Sequence, residues 1–245
     1  CKADFLLSFL RQTETENLFL VGDIIDLWAM RRSMFWPQSH NNVIRTILGK
    51  AKHDTRVIYI PGNHDEQLRD YCGMQFGNVE IHEEYEYTAK NGDKVKMLHG
   101  DKYDAFMKCG KFSRTIGSFG YDFLIFIHRV YDKLRGVFGF SYWSLARYVK
   151  SKVKNAVKHM RRFAEVVAAD ARRQGFDRVI CGHIHHAEIR EFDGVTYCND
   201  GDWIENCTAL VEHQNGTFEI IHWSSMHHAL EQNEKTVGQE GAVIS

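Results

Sequence analysis

This sequence contains four short motifs rich in metal-binding side chains, and each follows a short run of strand-forming residues. The motifs are Gly22-Asp23, Gly62-Asn63-His64-Asp65, His99-Gly100-Asp101 and Gly182-His183-Ile184-His185, after the runs 18–21, 57–60, 95–98 and 179–181. Asp, Asn and His supply the oxygen and nitrogen donors that Mn²⁺, Fe²⁺ and Zn²⁺ bind. Because open α/β folds gather their sites at strand ends, the motifs predict one metal centre at one rim of a β core.

Composition places the chain among globular proteins. Of its 245 residues, 44% are hydrophobic and 26% charged, which is typical of that class. No apolar run approaches the ~18–20 residues that span a bilayer, and no signal peptide is visible. The six cysteines form no CxxC pair, which favours reduced thiols in a cytosol.

Positive charge is concentrated in one part of the chain. Residues 102–175 contain 16 Lys and Arg against 5 Asp and Glu, a net charge of +11, whereas the rest of the chain carries −12. A segment with this charge favours an anionic partner, either acidic phospholipid or nucleotide phosphate.

The hydrophobic pattern predicts an α/β fold of the α+β type with four layers. Helices are expected over 3–11 and 42–52, and hairpins turn at 91–92, 193–194 and 215–216. The expected arrangement is a central β-sandwich flanked by helices. We assign 1–101 and 176–225 to the core, 102–175 to a basic, aromatic helical lid, and 226–245 to a flexible tail.

The first two motifs contain residues with distinct expected roles. Asp23 is expected to bridge two cations, and Asn63 to be a neutral ligand. His64 can face a substrate, with Asp65 orienting its ring. Asp26 is either a carboxylate that supports the metal ligands or a charge at a helix N-terminus; we favour the first interpretation.

The last two motifs add three imidazoles. In an extended segment residues i and i+2 face the same side, so His183 and His185 are each expected to bind one ion. One ion then has Asp23, Asn63, His99 and His183, whereas the other has only the shared Asp23 and His185. The sequence therefore predicts that one ion binds well and the second poorly.

The motifs in this order resemble those of the calcineurin-like metallophosphoesterase family, whose pattern is DxH, GDxxD or GDxxE, GNHD, a single His and GHxH. The helical basic insertion, His99-Gly100-Asp101 and Gly201-Asp202-Trp203 resemble one branch, the UDP-2,3-diacylglucosamine hydrolases. The resemblance covers residues 20–223. It implies the metallophosphoesterase fold, two divalent ions with Mn²⁺ expected, and Asp101 supporting the ligands.

Two positions depart from that pattern. DxH is absent, and we expect it on a strand upstream of Cys1 that would complete the second ion site. The branch also often has Arg where this chain has His64, although the wider family has His.

The resemblance also implies a substrate and a location. The substrate would be UDP-2,3-diacylglucosamine, cleaved to UMP and 2,3-diacylglucosamine 1-phosphate (lipid X) in lipid A synthesis. Cleavage would occur in the cytoplasm at the anionic inner-membrane surface of a Gram-negative bacterium. His64 would stabilise charge on the attacked phosphoryl group or protonate the leaving oxygen. We expect the substrate to contact Asp104, Arg147, Lys150 and Lys154.

Three other functions are compatible with the sequence. A broad phosphodiesterase or phosphatase acting on nucleotides or phosphoproteins would share the metal motifs. A nuclease would use the basic helices, but the aromatic residues there follow helical periodicity, so nucleic acid is not the expected partner. A non-catalytic membrane scaffold would have a decayed site.

Overall fold

The computed structural model describes residues 1–33, 35–104 and 145–226, and for 145–155 it describes the backbone only. The chain divides into two compact units, Cys1–Tyr103 with Phe163–Ser245, and Asp104–Arg162. The second unit is shorter at both ends than the predicted lid. Its role as a lid, like the flexibility of 226–245, stays a prediction, and 227–245 lie outside the described residues.

The helices and strands alternate in the first half of the chain and become mostly antiparallel in the second. Within the described residues the α-helices are α1 (Ala3–Gln12), α2 (Leu27–Arg32), α3 (Gln38–Lys52) and α4 (Leu145–Arg173). The strands are β1 (Asn17–Val21), β2 (Arg56–Ile60), β3 (Gln75–Phe76), β4 (Val79–Ile81), β5 (Glu84–Thr88), β6 (Lys94–Leu98), β7 (Arg178–Cys181), β8 (Glu188–Phe192), β9 (Val195–Asn199), β10 (Thr208–Glu212) and β11 (Phe218–His222).

The strands form two main sheets and a hairpin. The first sheet has the order β1-β2-β4-β3 and the second β5-β6-β7-β9-β8, while β10 pairs with β11. In the first sheet β1 runs parallel to β2 and β2 to β4. In the second, β6, β7 and β9 are parallel neighbours. Both sheets therefore place several carboxyl ends at one edge.

Alternate side chains of strand β2 contribute to the core on both faces of the first sheet. Val57 and Tyr59 pack with α1 and α3 on one face of the first sheet. Ile58 and Ile60 face the other way and pack with residues of the second sheet. Alternate side chains on a strand lie on opposite faces, so this apolar run is buried on both sides. The predicted β-sandwich with flanking helices is confirmed.

Helix α4 covers the second sheet through its C-terminal part. Buried Phe163, Ala164, Val167, Ala168 and Ala171 recur at helical spacing. Lys96 of β6, between inward-facing Val95 and Met97, donates to Gln174 at 2.7 Å. Residues from Phe163 onward thus belong to the core. No helix in the described ranges is long and apolar enough to cross a membrane.

Candidate metal centre and active site

The four motifs begin where parallel strands end. Val21 and Ile60 are register partners at the ends of β1 and β2. In the second sheet, β6 and β7 run parallel and end just before His99 and Gly182. The chain therefore leaves the core at four points along one rim, where polar side chains can meet without burying unpaired backbone.

Three predicted ligands converge on one point. His99 Nε2 lies 3.2 Å from Asn63 Oδ1 and 3.5 Å from Asp23 Oδ2. Ligand atoms about 2.1 Å from one cation are about 3.0 Å apart at octahedral angles and about 3.4 Å apart at tetrahedral angles. Both separations lie close to these values, so His99 Nε2 is placed to share a first-row cation with Asn63 Oδ1 and with Asp23 Oδ2.

The amide of Asn63 is necessary to this set. Over residues 1–33, 35–104 and 145–226, no group of three or more His, Cys, Asp and Glu side chains could hold a metal ion. The convergent set reaches three donors only with a neutral amide oxygen. That oxygen adds a ligand without adding a second negative charge beside Asp23.

Two glycines make room for this convergence. A Cβ atom on Gly22 would lie 1.8 Å from His99 Nδ1, and one on Gly62 would lie 2.2 Å from Asp23 Oδ1 and 2.8 Å from His99 Nε2. Gly22 also has φ +81°, a conformation that favours glycine. Any larger residue at either position would displace a ligand.

Asp23 and His99 each favour the charged form of the other. Burial raises the pKa of Asp23, but the hydrogen bond and charge of His99 and the N–H of His64 outweigh it and lower that pKa to about 2. Burial lowers the pKa of His99, but contact with Asp23 and the charge of Asp101 raise it overall. The carboxylate is thus held ionised, as a metal ligand must be.

Three site residues have backbone conformations that are unusual outside glycine. Asp23, His183 and His185 have φ values of +54°, +67° and +53°. Each such backbone conformation costs about 1–3 kcal/mol of conformational free energy, and such conformations cluster at functional sites. The assumption that His183 and His185 lie in an extended segment is therefore wrong, because neither has extended φ.

The two histidines of the last motif have different surroundings. The ring of His183 lies edge-on to His99, with centroids 5.1 Å apart, and 6.0 Å from the ring of Phe163. His185 is exposed. The structure brings His183 to the convergent set, whereas binding of a second ion by His185 stays a prediction.

His64 is held by a different carboxylate from the one we predicted. Its Nδ1 lies 3.1 Å from Asp26 Oδ1, and its ring stacks on Trp28 with centroids 4.4 Å apart. An ionised carboxylate only accepts hydrogen bonds, so Asp26 places the ring proton on Nδ1 and leaves Nε2 for a substrate. Asp26 also accepts from Ala29 N–H at 2.9 Å, which agrees with a charge at a helix N-terminus. The side chain that it supports is His64, so support of a metal ligand by Asp26 stays a prediction.

Asp65 instead holds the backbone of the neighbouring motif. It is fully buried and accepts from Gly62 N–H at 2.6 Å, from Ile24 N–H at 2.9 Å and from the hydroxyl of Tyr59. The prediction that Asp65 orients His64 is therefore wrong. Its carboxylate ties the loop after β1 to the loop after β2, and so fixes Asp23 relative to Asn63.

Asp101 supports the site through a salt bridge. Its Oδ1 accepts from the Arg69 guanidinium at 2.7 Å, and Arg69 also lies 3.4 Å from the carbonyl of Pro61. Arg69 thereby joins the third motif to the loop that carries Asn63. The charge of Asp101 also raises the pKa of His99, and support of the metal ligands by Asp101 stays a prediction.

Asp200 is a site residue that the sequence analysis missed. It follows β9, which runs parallel to β7, and a Cβ atom on Gly182 would lie 3.3 Å from its Oδ1. Burial raises the pKa of Asp200 to about 7, although the charge of His99 opposes this. The signal was the strand end before Asn199-Asp200, which we interpreted only as one side of a hairpin.

The predicted lid contacts lie mostly outside the described side chains. Arg147, Lys150 and Lys154 belong to α4 where only the backbone is described, and Asp104 is half-buried at the start of the second unit. The aromatic segment 121–144 also lies outside the described residues. Substrate contacts by these four residues stay predictions.

The site places carboxylate, amide and imidazole donors close together, next to an imidazole that a carboxylate orients. This arrangement is typical of metal-dependent hydrolases. The family model for calcineurin-like phosphoesterase matches residues 2–187, so the chain belongs to that family. It is an enzyme that hydrolyses phosphoesters with divalent metal ions.

The chain is also similar to several relatives and solved structures. UDP-2,3-diacylglucosamine hydrolase from Neisseria meningitidis serogroup B is 26% identical over 84% of this chain and 85% of that protein. The serogroup A enzyme is 24% identical over the same shares. A novel archaeal phosphodiesterase aligns over 90% of both chains at 13% identity and a TM-score of 0.42. Vps29 from Entamoeba histolytica aligns with a TM-score of 0.37.

Proposed function

We propose that this enzyme cleaves the pyrophosphate bond of UDP-2,3-diacylglucosamine, releasing UMP and 2,3-diacylglucosamine 1-phosphate in lipid A synthesis. The observation that carries the proposed chemistry is the convergence of Asp23, Asn63 and His99 beside the Asp26–His64 pair. The substrate is supported by the Neisseria relatives, which match over 84% of the chain.

The roles of the residues follow from their contacts. Asp23, Asn63, His99 and His183 would hold one divalent cation, and His185 with Asp23 a second; Mn²⁺ is the proposed metal. Bound there, the cations would supply Lewis-acid polarisation of the phosphoryl group and a water acidified for attack. His64, held at Nδ1 by Asp26, directs Nε2 to the leaving oxygen, and stacking on Trp28 prevents the ring from turning.

The proposed location follows from the substrate. A diacylated sugar nucleotide resides in a membrane surface, so the enzyme would work in the cytoplasm at the anionic inner membrane of a Gram-negative bacterium. The +11 charge of residues 102–175 supports an anionic surface as partner.

The direct test is release of UMP from UDP-2,3-diacylglucosamine by the full-length protein with Mn²⁺. Asn63→Ala should abolish release because the convergent set loses its third donor. His213→Ala is a matched control for His185→Ala, since His213 lies on the β10–β11 hairpin and contacts Glu219. Near-normal turnover of bis-p-nitrophenyl phosphate in both Asn63→Ala and His185→Ala would reject the metal assignment.

A second candidate is a broad phosphodiesterase acting on nucleotides or phosphoproteins. The observation that favours it is His64, at a position where the diacylglucosamine hydrolases often have Arg. This enzyme would turn over small diesters without lipid, and deletion of 121–162 would leave that turnover unchanged. Retained turnover of small diesters without UMP release would favour this candidate and keep the phosphoesterase assignment.

A further inference from the structure

Helix α2 and the residues that follow it expose three large aromatic side chains. Phe35 is 73% exposed, and Trp28 and Trp36 are each 38% exposed. Arg31 and Arg32, in the last turn of α2, are exposed as well. Exposed large aromatic residues in such a cluster are uncommon on a surface that meets only water.

The same part of the chain is positively charged within an acidic unit. From residue 27 to residue 53 there are five Lys and Arg and no Asp or Glu, although the chain outside 102–175 carries a net charge of −12. The charged residues nearest to Phe35 and Trp36 along the chain are therefore Arg31, Arg32 and Arg45, and the acidic residues that flank this range are Asp26 and Asp54. That combination matches an anionic lipid surface, where Trp and Phe enter the interface and Arg binds phosphate.

This surface is continuous with the active site. Trp28 of α2 stacks on His64, and Leu27 N–H donates to the carbonyl of His64 at 3.2 Å. Helix α2 is thus fixed at its start to the catalytic histidine, and its other end leads to Phe35 and Trp36. A membrane bound at that end would lie beside the reacting group.

We propose that Arg31, Arg32, Phe35 and Trp36, here called the anchor residues, dock the enzyme on an anionic phospholipid bilayer. Phe35 and Trp36 enter the interface, while Arg31 and Arg32 bind headgroup phosphates. The inference deepens the proposed function, on which it rests for a substrate held in a membrane. It names residues that lie outside the basic insertion 102–175 in the sequence.

The test measures binding and chemistry separately. Co-sedimentation with vesicles of phosphatidylglycerol and phosphatidylcholine should show that Phe35→Ser/Trp36→Ser lowers the partition coefficient at least about tenfold. The matched control is Phe76→Ser, since Phe76 is 72% exposed on edge strand β3, at the far side of the sheet from β1. Arg31→Gln/Arg32→Gln should weaken binding only to the anionic vesicles and reduce its salt dependence.

Turnover of bis-p-nitrophenyl phosphate should be unchanged in these variants, because among the described residues none of the four side chains contacts a predicted metal ligand or His64. Unchanged turnover together with lost vesicle binding supports the proposal even if UMP release fails. Equal partition of the double Ser variant and the wild type would overturn it. Equal binding of the wild type to neutral and anionic vesicles would also overturn the proposal. The same holds if light scattering shows that the wild type is a dimer and the double Ser variant a monomer.

Discussion

Changing Asp65 to Asn should mainly lower stability, whereas changing Asp26 to Asn should mainly lower activity. Asp65 Oδ1 accepts from the N–H groups of Gly62 and Asp23, while Oδ2 accepts from Tyr59 and from the N–H groups of Ile24 and Ile25. An Asn amide must turn its NH₂ toward one of these sets. At least two backbone donors then lose their acceptor.

The magnitude for Asp65→Asn follows from that count. Hydrogen bonds to a charged group contribute about 1.5–3 kcal/mol each, so two lost bonds cost about 3–6 kcal/mol. A domain is stable by only about 5–15 kcal/mol. Asp65→Asn should therefore lower the free energy of unfolding in urea by about 3–6 kcal/mol, and its activity should fall with the folded fraction.

Asp26→Asn should behave in the reverse way. Asn caps a helix as well as Asp, so α2 keeps its bond from Ala29 N–H and stability should change by less than about 0.5 kcal/mol. The kcat for bis-p-nitrophenyl phosphate should fall about 10–100-fold, with a changed pH profile and little change in KM. Urea unfolding and Mn²⁺-dependent turnover on both variants measure the contrast. A stable, inactive Asp65→Asn beside an Asp26→Asn with kcat within about twofold of wild type would refute this reasoning.

Three further predictions concern the ligand set. Gly62→Ala should lower Mn²⁺ affinity in calorimetry by more than about tenfold, because its Cβ would lie 2.2 Å from Asp23 Oδ1. Gly49→Ala is the control and should leave the affinity unchanged, because a Cβ at Gly49 would meet nothing within 4 Å. In EDTA, the raised pKa of Asp200 means that stability is full below pH ~4 and falls as pH rises toward about 7. Asp200→Asn should remove the fall in stability between pH 4 and 6 in urea titrations, below the range in which His99 loses its proton, and an unchanged fall would contradict the prediction. Equilibrium dialysis of the 245-residue chain should find one Mn²⁺ bound tightly, and His185→Ala should leave that ion in place.

The secondary structure could be predicted because alternation and turn residues are local. The expected strands and their three hairpins agree with the structure to within about one residue, since each is an apolar run closed by a Gly turn. Helix α3 begins four residues earlier than expected, at Gln38 after Pro37. Pro37 has no side-chain cap for the first turn, so the sequence held no strong start signal there.

Side-chain partners could not be predicted in the same way. The i, i+2 rule failed for His183 and His185 because it requires extended backbone, and both have positive φ. Asp200 was missed because its strand pairs with β7 as well as with its hairpin partner. Such pairings depend on long-range packing that spacing along the chain does not encode.

The two aspartates show what decides such a partner. Asp65 is next to His64 in sequence, but its side chain is buried under the loop after β1, where it binds the backbone at residues 23–25. In return Asp26, from that loop, holds His64, whose N–H donates to Asp23 Oδ1 at 2.8 Å. Each motif thus supplies the carboxylate that fixes the other. Because the metal ligands and the His64 ring share this cross-bracing, loosening either loop should disturb both, and the energetic effects of Asp26 and Asp65 substitutions should not be additive.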